Sequence, residues 1–208
     1  MNVRRTVLTG VILAGGASRR MGEDKAFLDW DGRPLIAAVA GRLREVCRRV
    51  VAVASGEAAA YQAHVDLVVR DVFPDCGVVG GIHAGLAAAG GPVAVVGCDM
   101  PFVNPEVLDR LASALPAADA AALRSGPHAE PLHAVYGAAC GPRMEEALRS
   151  GERRAQSVLG GLEVRWFRAE DVRDLDPDLR CLRNVNTPAE LEAARRDAGL
   201  PPRARPSV

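Results

Sequence analysis

Short apolar, β-branched runs alternate along this chain with stretches of helical spacing, and that alternation most restricts the fold. Val7 to Ala14 is apolar and ends at Gly15-Gly16, as a buried strand running into a glycine turn would. Pro34 to Val46 has helical spacing, with the proline near the helix start. Strands follow at Val50–Ala54 and Asp66–Val69, a helix at Gly81–Ala89, and a fully apolar strand at Val93–Val96 leading to Gly97-Cys98-Asp99. Asn104 is placed to cap a helix from Pro105 to Leu115. Further strands are expected near Ala120–Leu123, Leu132–Tyr136 and Val164–Phe167, with a helix opening near Gly151–Arg154 and a last one after Thr187. Strands interleaved with helices imply an α/β fold: a mostly parallel sheet covered on both faces. Ligands in such sheets sit beyond the carboxyl ends of the strands. The segments to examine are therefore Gly15–Lys25, Asp71–Gly81, Asp99–Phe102 and Asn184–Thr187.

The 208 residues suit one domain, and no internal repeat or long linker divides them. Pro201 to Val208, rich in proline and arginine, reads as a disordered tail. The formal net charge is zero, which argues against a broad basic surface for nucleic acid. No apolar run reaches the roughly 18 residues of a membrane span. The run behind Arg4-Arg5 is broken by glycines too early for a signal peptide, so neither membrane nor export is expected. Five scattered cysteines, never in a C-x-x-C pair, are neither a disulfide framework nor a zinc site and fit free thiols in a reducing cytoplasm.

Lys25 is the only lysine among 26 basic residues. In an arginine-biased chain it is either a chance survivor or a residue whose compact charge on a flexible stem arginine cannot replace. Its setting favours the second. Gly15 and Gly16 let backbone N–H groups approach phosphate oxygens, and Arg19, Arg20 and Lys25 surround that loop with positive charge. The spacing is neither a P-loop nor a G-x-G-x-x-G fingerprint. Asp99, at the tip of a buried strand, is suited to Mg²⁺, which takes one or two carboxylates plus substrate phosphate oxygens. A turn residue ahead of Pro101 is the plainer reading. Asp71 follows the third strand, where a carboxylate can accept from N1–H and the amino group of guanine. His64, His83 and His128 share no metal-ligand spacing.

Leu13-Ala14-Gly15-Gly16, then Ser18-Arg19-Arg20-Met21-Gly22 and Asp24-Lys25, resembles the opening signature of the molybdenum cofactor guanylyltransferase family. Sugar-nucleotide and cytidylyl transferases of the same superfamily more often resemble Leu-Ala-Ala-Gly at this turn, so Gly16 points to the guanylyl branch. Gly97–Phe102 resembles that family's metal-binding element, Gly77–Ile82 its second nucleotide-contacting turn, and Asn184-Val185-Asn186-Thr187-Pro188 its Asn-x-Asn-Thr-Pro element. Together these cover about Gly10 to Leu191.

The resemblance implies a three-layer, Rossmann-like nucleotidyltransferase fold with a mostly parallel, mixed central sheet. It implies a nucleotide-binding half over about 7–110 and an acceptor-binding half over about 111–198. It also implies transfer of GMP from GTP to the terminal phosphate of molybdenum–molybdopterin with Mg²⁺. Leu13, Ala14, Gly15, Gly16, Lys25, Asp71, Gly80 and Asp99 would hold the nucleotide, Asp99 also the metal. Lys25, Arg19 and Asp99 would be catalytic. Asn184 and Asn186 would touch the acceptor or orient the metal. His133 would either touch the pterin or be buried, and Arg153 and Arg154 would either meet the acceptor's phosphate or be solvated. Molybdoenzymes or their chaperones would receive the product. This chain departs from the family at the second strand's end, where Val53 stands in place of a nucleotide-contacting Asn, with Ser55 nearby. Cytidylyl transfer, sugar-phosphate nucleotidyl transfer and a non-catalytic nucleotide-binding adaptor are the alternatives.

Overall fold

The computed structural model describes residues 8–14, 24–55, 57–126 and 128–201. In chain order the elements are β1 (Thr9–Leu13), β2 (Asp29–Trp30), β3 (Arg33–Pro34), α1 (Leu35–Leu43), β4 (Arg49–Val53), α2 (Ala58–Gln62), β5 (Leu67–Val69) and α3 (Gly77–Ala89). Next come β6 (Val93–Gly97), α4 (Pro105–Ala112), β7 (Ala120–Ser125), β8 (His128–Ala129), β9 (Ala134–Tyr136), α5 (Cys140–Arg149), α6 (Ala155–Gly160), β10 (Val164–Phe167), α7 (Ala169–Val172) and α8 (Pro188–Asp197).

The sheet runs β10-β7-β9-β6-β1-β4-β5, with β8 paired to β7. The pairs β1–β4, β1–β6, β4–β5 and β7–β10 are parallel, and β9 lies antiparallel between β6 and β7. The carboxyl ends of every parallel strand therefore share one edge. Side chains alternate across the strands. Ile12, Ala52, Val96 and Leu123 join Leu35 of α1, Leu108 of α4 and Leu191 of α8 in one core. Their neighbours Val11, Val53, Val95 and Ala122 face Ile82 of α3, Met144 of α5 and Leu159 of α6 in the other. Three layers follow, and the mostly parallel, mixed sheet expected from the sequence is present.

Caps set the helix boundaries near the site. Asn104 Oδ1 accepts from the N–H groups of Glu106 and Val107, at 3.0 and 3.2 Å, opening α4. Thr187 and Glu190 form a reciprocal capping box on α8. Caps of this kind contribute about 1 kcal/mol each.

Several boundaries differ from the sequence reading. α4 stops at Ala112 rather than Leu115, because Pro116 lacks an N–H and would crowd the carbonyl four residues back. Gly77–Gly80 is the first turn of α3 rather than a turn before a helix at Gly81. The reversal falls at Asp75 and Gly77, with φ of 63° and 58°. His133, at φ 55°, delays β9 to Ala134. An Asp31-Gly32 turn, with φ of 59° and 73°, folds β2 and β3 into a hairpin, as the paired positive φ of a type I′ turn requires. Among the described residues no helix is long and apolar enough to cross a membrane.

Candidate nucleotidyl-transfer site

The site is assembled at the shared carboxyl edge. β6 is buried along its whole length, so Asp99, two residues past it, leaves the sheet from a fixed point. Its carboxylate folds back over the strand end. A Cβ on Gly97 would lie 2.6 Å from Asp99 Oδ1, so Gly97 is where only glycine leaves the room. The carbonyl of Asp99 accepts from the N–H of Val185 at 2.8 Å, which stitches the 184–187 segment to the strand tip. Val185 is fully buried, while Asn184 and Asn186 on either side are exposed.

Lys25 reaches the same point from the other end of the sequence. It opens a short 3₁₀ helix, Lys25–Phe27, capped by Asp24, whose Oδ1 accepts from the N–H of Ala26 at 3.0 Å. The other oxygen of Asp24 accepts from the hydroxyl of Tyr61, a buried residue of α2 whose ring lies 5.0 Å from that of Phe27. From this base Lys25 Nζ donates to Asn186 Oδ1 at 2.7 Å and to Asp99 Oδ2 at 3.4 Å. The side chains of Lys25 and Asp99 are 14% and 21% exposed, open enough to meet a ligand. Asn186 is itself held by α8's capping box, its N–H donating to Glu190 Oε2 at 2.6 Å.

Leu13 and Ala14 lie beside these groups. The Leu13 carbonyl accepts from the N–H of Cys98 at 3.1 Å, and the Ala14 N–H donates to the Val53 carbonyl at 2.9 Å. Gly15, Gly16, Arg19 and Arg20 lie outside the described residues. Cys98 is no rival nucleophile. Burial first, then the nearby carboxylates of Asp99 and Asp24, push its thiol up to about 12.

A second group forms at the amino end of α3. Asp71 follows β5, three strand spacings from β6, a separation of about 14 Å. Its Oδ1 accepts from the N–H of Phe73 at 2.8 Å. Its Oδ2 would lie 2.4 Å from a Cβ on Gly80, so this carboxylate rests on the bare backbone of α3. Burial raises its pKa, opposed by the Phe73 N–H and the charge of His83. Asp71 and Gly80 are thus neighbours, as are Lys25, Asp99 and Asn186.

His133 is buried rather than facing a ligand, and its Nε2 accepts from the N–H of Asn104 at 3.0 Å. Arg153 and Arg154 are exposed ahead of α6, their N–H groups donating to Glu152 Oε1. Val53 is packed in the core, and Ser55 is exposed beyond it. Asp24, Tyr61 and Glu190 hold site residues in place and carried no assigned role in the sequence reading. Asp24, an N-cap residue type just before Lys25, was open to detection; Tyr61, 37 residues from its partner, carried no local signal.

Among the described residues no three His, Cys, Asp or Glu side chains gather as a self-sufficient metal site. A hard divalent ion shared with substrate phosphates needs less. Asp99 Oδ2 and Asn186 Oδ1 already converge on one cationic group, the Lys25 ammonium, and the oxygen donors there fit such an ion.

Residues 10–166 match the family model described as MobA-like NTP transferase domain. A probable molybdenum cofactor guanylyltransferase of Pelotomaculum thermopropionicum is 39% identical over 189 residues, covering 90% of this chain and 91% of the relative. A molybdenum cofactor guanylyltransferase of Pseudomonas putida is 35% identical over 186 residues, covering 88% and 94%. The crystal structure of molybdopterin-guanine dinucleotide biosynthesis protein A from Archaeoglobus fulgidus superposes with a TM-score of 0.79 at 29% identity, covering 92% of this chain and 99% of that one. With this fold, and with these residues at the carboxyl edge of its sheet, the chain is a nucleotidyltransferase that belongs to the molybdenum cofactor guanylyltransferase family of MobA-like NTP transferase domains.

Proposed function

We propose that this enzyme transfers GMP from GTP to the terminal phosphate of molybdenum–molybdopterin, giving the guanine dinucleotide cofactor and pyrophosphate. The observation that carries the reading is the meeting of Lys25, Asp99 and Asn186 at one point on the ligand-binding edge. The names of the relatives supply the acceptor and the base.

Asp99, with the amide oxygen of Asn186 beside it, would hold Mg²⁺. When bound, that ion neutralises phosphate charge at the reacting end of GTP. Lys25, with Arg19, offsets charge as an oxygen of the acceptor's terminal phosphate bonds to the α-phosphorus. The bond from that phosphorus to the bridging oxygen breaks, and pyrophosphate leaves. The nucleophile is already anionic, so the chain supplies positioning and electrostatics rather than a base. Leu13, Ala14, Gly15 and Gly16 cradle the nucleotide. Asp71, seated on Gly80, meets its guanosine end, and Asn184 and Asn186 border the acceptor. We place the enzyme in the cytoplasm as one domain of two halves, about 7–110 for nucleotide and 111–198 for acceptor. It hands its product to molybdoenzymes or their chaperones.

Pyrophosphate release with Mg²⁺ and molybdenum–molybdopterin, measured in parallel with GTP, CTP and ATP, tests the reading. Release with GTP alone is expected. Release with CTP alone moves the enzyme to cytidylyl transfer, and none with any of the three leaves a nucleotide binder without turnover.

A further inference from the structure

A concavity lies on the other side of the sheet's midline from Asp71. It measures about 310 Å³ and is lined by Arg124 of β7, Gln156, Leu159 and Gly160 of α6, Leu162, and Trp166 of β10, among others. β7 and β10 run parallel in the register Ala122 to Trp166 and Leu123 to Phe167, so Arg124 and Trp166 lie toward the carboxyl edge that carries Asp99, while Val164 lines the cavity at the amino end of β10. In the sheet order these strands lie two and three spacings beyond β6, about 10–14 Å away. Asp71 lies at a similar distance in the opposite direction.

The walls have a definite chemistry. The guanidinium of Arg124 lies over the Trp166 ring, 4.7 Å from its centre, so a cation and an aromatic ring meet in the lining. Leu159, Leu162 and Val164 contribute apolar edges, Gln156 adds an amide that both donates and accepts, and most of the exposed lining is polar. Among the described lining residues there is no carboxylate, which disfavours a cation. A bare phosphate would meet one guanidinium and, among the described lining residues, no second cationic group. A flat heteroaromatic ring with donors and acceptors on its rim satisfies every wall at once, by stacking and by hydrogen bonding.

We propose that this cavity takes the pterin ring system of the acceptor while the acceptor's phosphate lies at Lys25 and Asp99. The assignment rests on the guanylyltransferase reading above and adds the place of the ring. It makes Trp166 and Arg124 determinants of acceptor specificity that have no part in holding GTP.

Gly160 allows a clean test. Gly160 lines the cavity and is exposed, and a Cβ there meets nothing within 4 Å, so Gly160→Leu adds apolar bulk at its rim and replaces a poor helix former. Trp166→Ala removes the ring that supports Arg124 and the aromatic part of the lining. Each variant and the unaltered enzyme are assayed for pyrophosphate release with GTP and molybdenum–molybdopterin, with thermal melts alongside. The expected result is an acceptor KM raised at least tenfold in both, a GTP KM within twofold of the unaltered enzyme, and a melting temperature for Gly160→Leu that does not fall. An acceptor KM within threefold of the original in every one of these variants that folds overturns the assignment. If the unaltered enzyme forms no product from this acceptor, the guanylyltransferase reading itself fails.

Discussion

The ammonium of Lys25 donates to the side-chain oxygen of Asn186 across 2.7 Å, joining residues 161 positions apart. It lies 3.4 Å from Asp99 Oδ2 as well, so one cation ties the first loop, the middle strand and the last capped segment together. Lys25→Ala and Asp99→Ala should each lower turnover about 10²–10³-fold, the scale of losing one preorganised electrostatic group. Because both side chains are partly exposed, melting temperatures should barely move. Lys25→Arg should not restore activity, since its rigid fork replaces a point charge. Pyrophosphate release beside thermal melts checks this, and turnover near the original in the Ala variants would remove both residues from the mechanism.

Tyr61 bears on Lys25 through Asp24. With the hydroxyl gone, the Asp24 carboxylate keeps its bond to the Ala26 N–H but loses its second anchor. Tyr61→Phe preserves the ring packed on Phe27. Stability should fall by about 1–2 kcal/mol, the cost of stranding a hydrogen-bond partner. Turnover should fall several-fold as Lys25 samples more positions. Denaturant melts read the first effect and kcat at saturating substrate the second; a loss of stability with kcat unchanged would mean Tyr61 supports the fold alone.

Gly80 owes its identity to the carboxylate lying on it. In Gly80→Ala the new Cβ would fall 2.4 Å from Asp71 Oδ2, so Asp71 must move. Alanine is the better helix former by about 1 kcal/mol, which leaves stability little changed. The effect should appear as a raised KM for GTP, with the acceptor KM unaffected. Equal effects on both substrates would place Asp71 away from the nucleotide.

The sheet was legible in the sequence because parallel strands buried on both faces read as continuous apolar runs, as Val93–Val96 does. Asp99 and Lys25 were legible because they stand at strand ends or in a recognisable loop. Elements held by tertiary contact were not. The short α2 carries Tyr61 to Asp24 without a side-chain cap hydrogen bond, and its sequence Ala58–Gln62 has no periodic signal. The β2–β3 hairpin is two residues a side, too short for alternation, although Asp31-Gly32 marks its turn. His133 sat in an apolar run with strand-like alternation; only its positive φ and its bond to the Asn104 N–H separate it from β9.

That histidine makes stability depend on pH. Burial pushes the His133 imidazole down to about 4 from an ordinary 6.5, so below pH 6.5 the unfolded chain takes up a proton that the folded chain refuses. The stabilisation from keeping it neutral is complete above pH 6.5 and is lost as pH falls toward 4. At pH 5 the linked loss is about 2 kcal/mol. His133→Asn tolerates the positive φ and still offers an acceptor, but it does not titrate. Denaturant midpoints at pH 7.5 and pH 5 should therefore differ less in the variant than in the parent, by an amount of that order. The same pH dependence in both would assign the acid sensitivity to other groups.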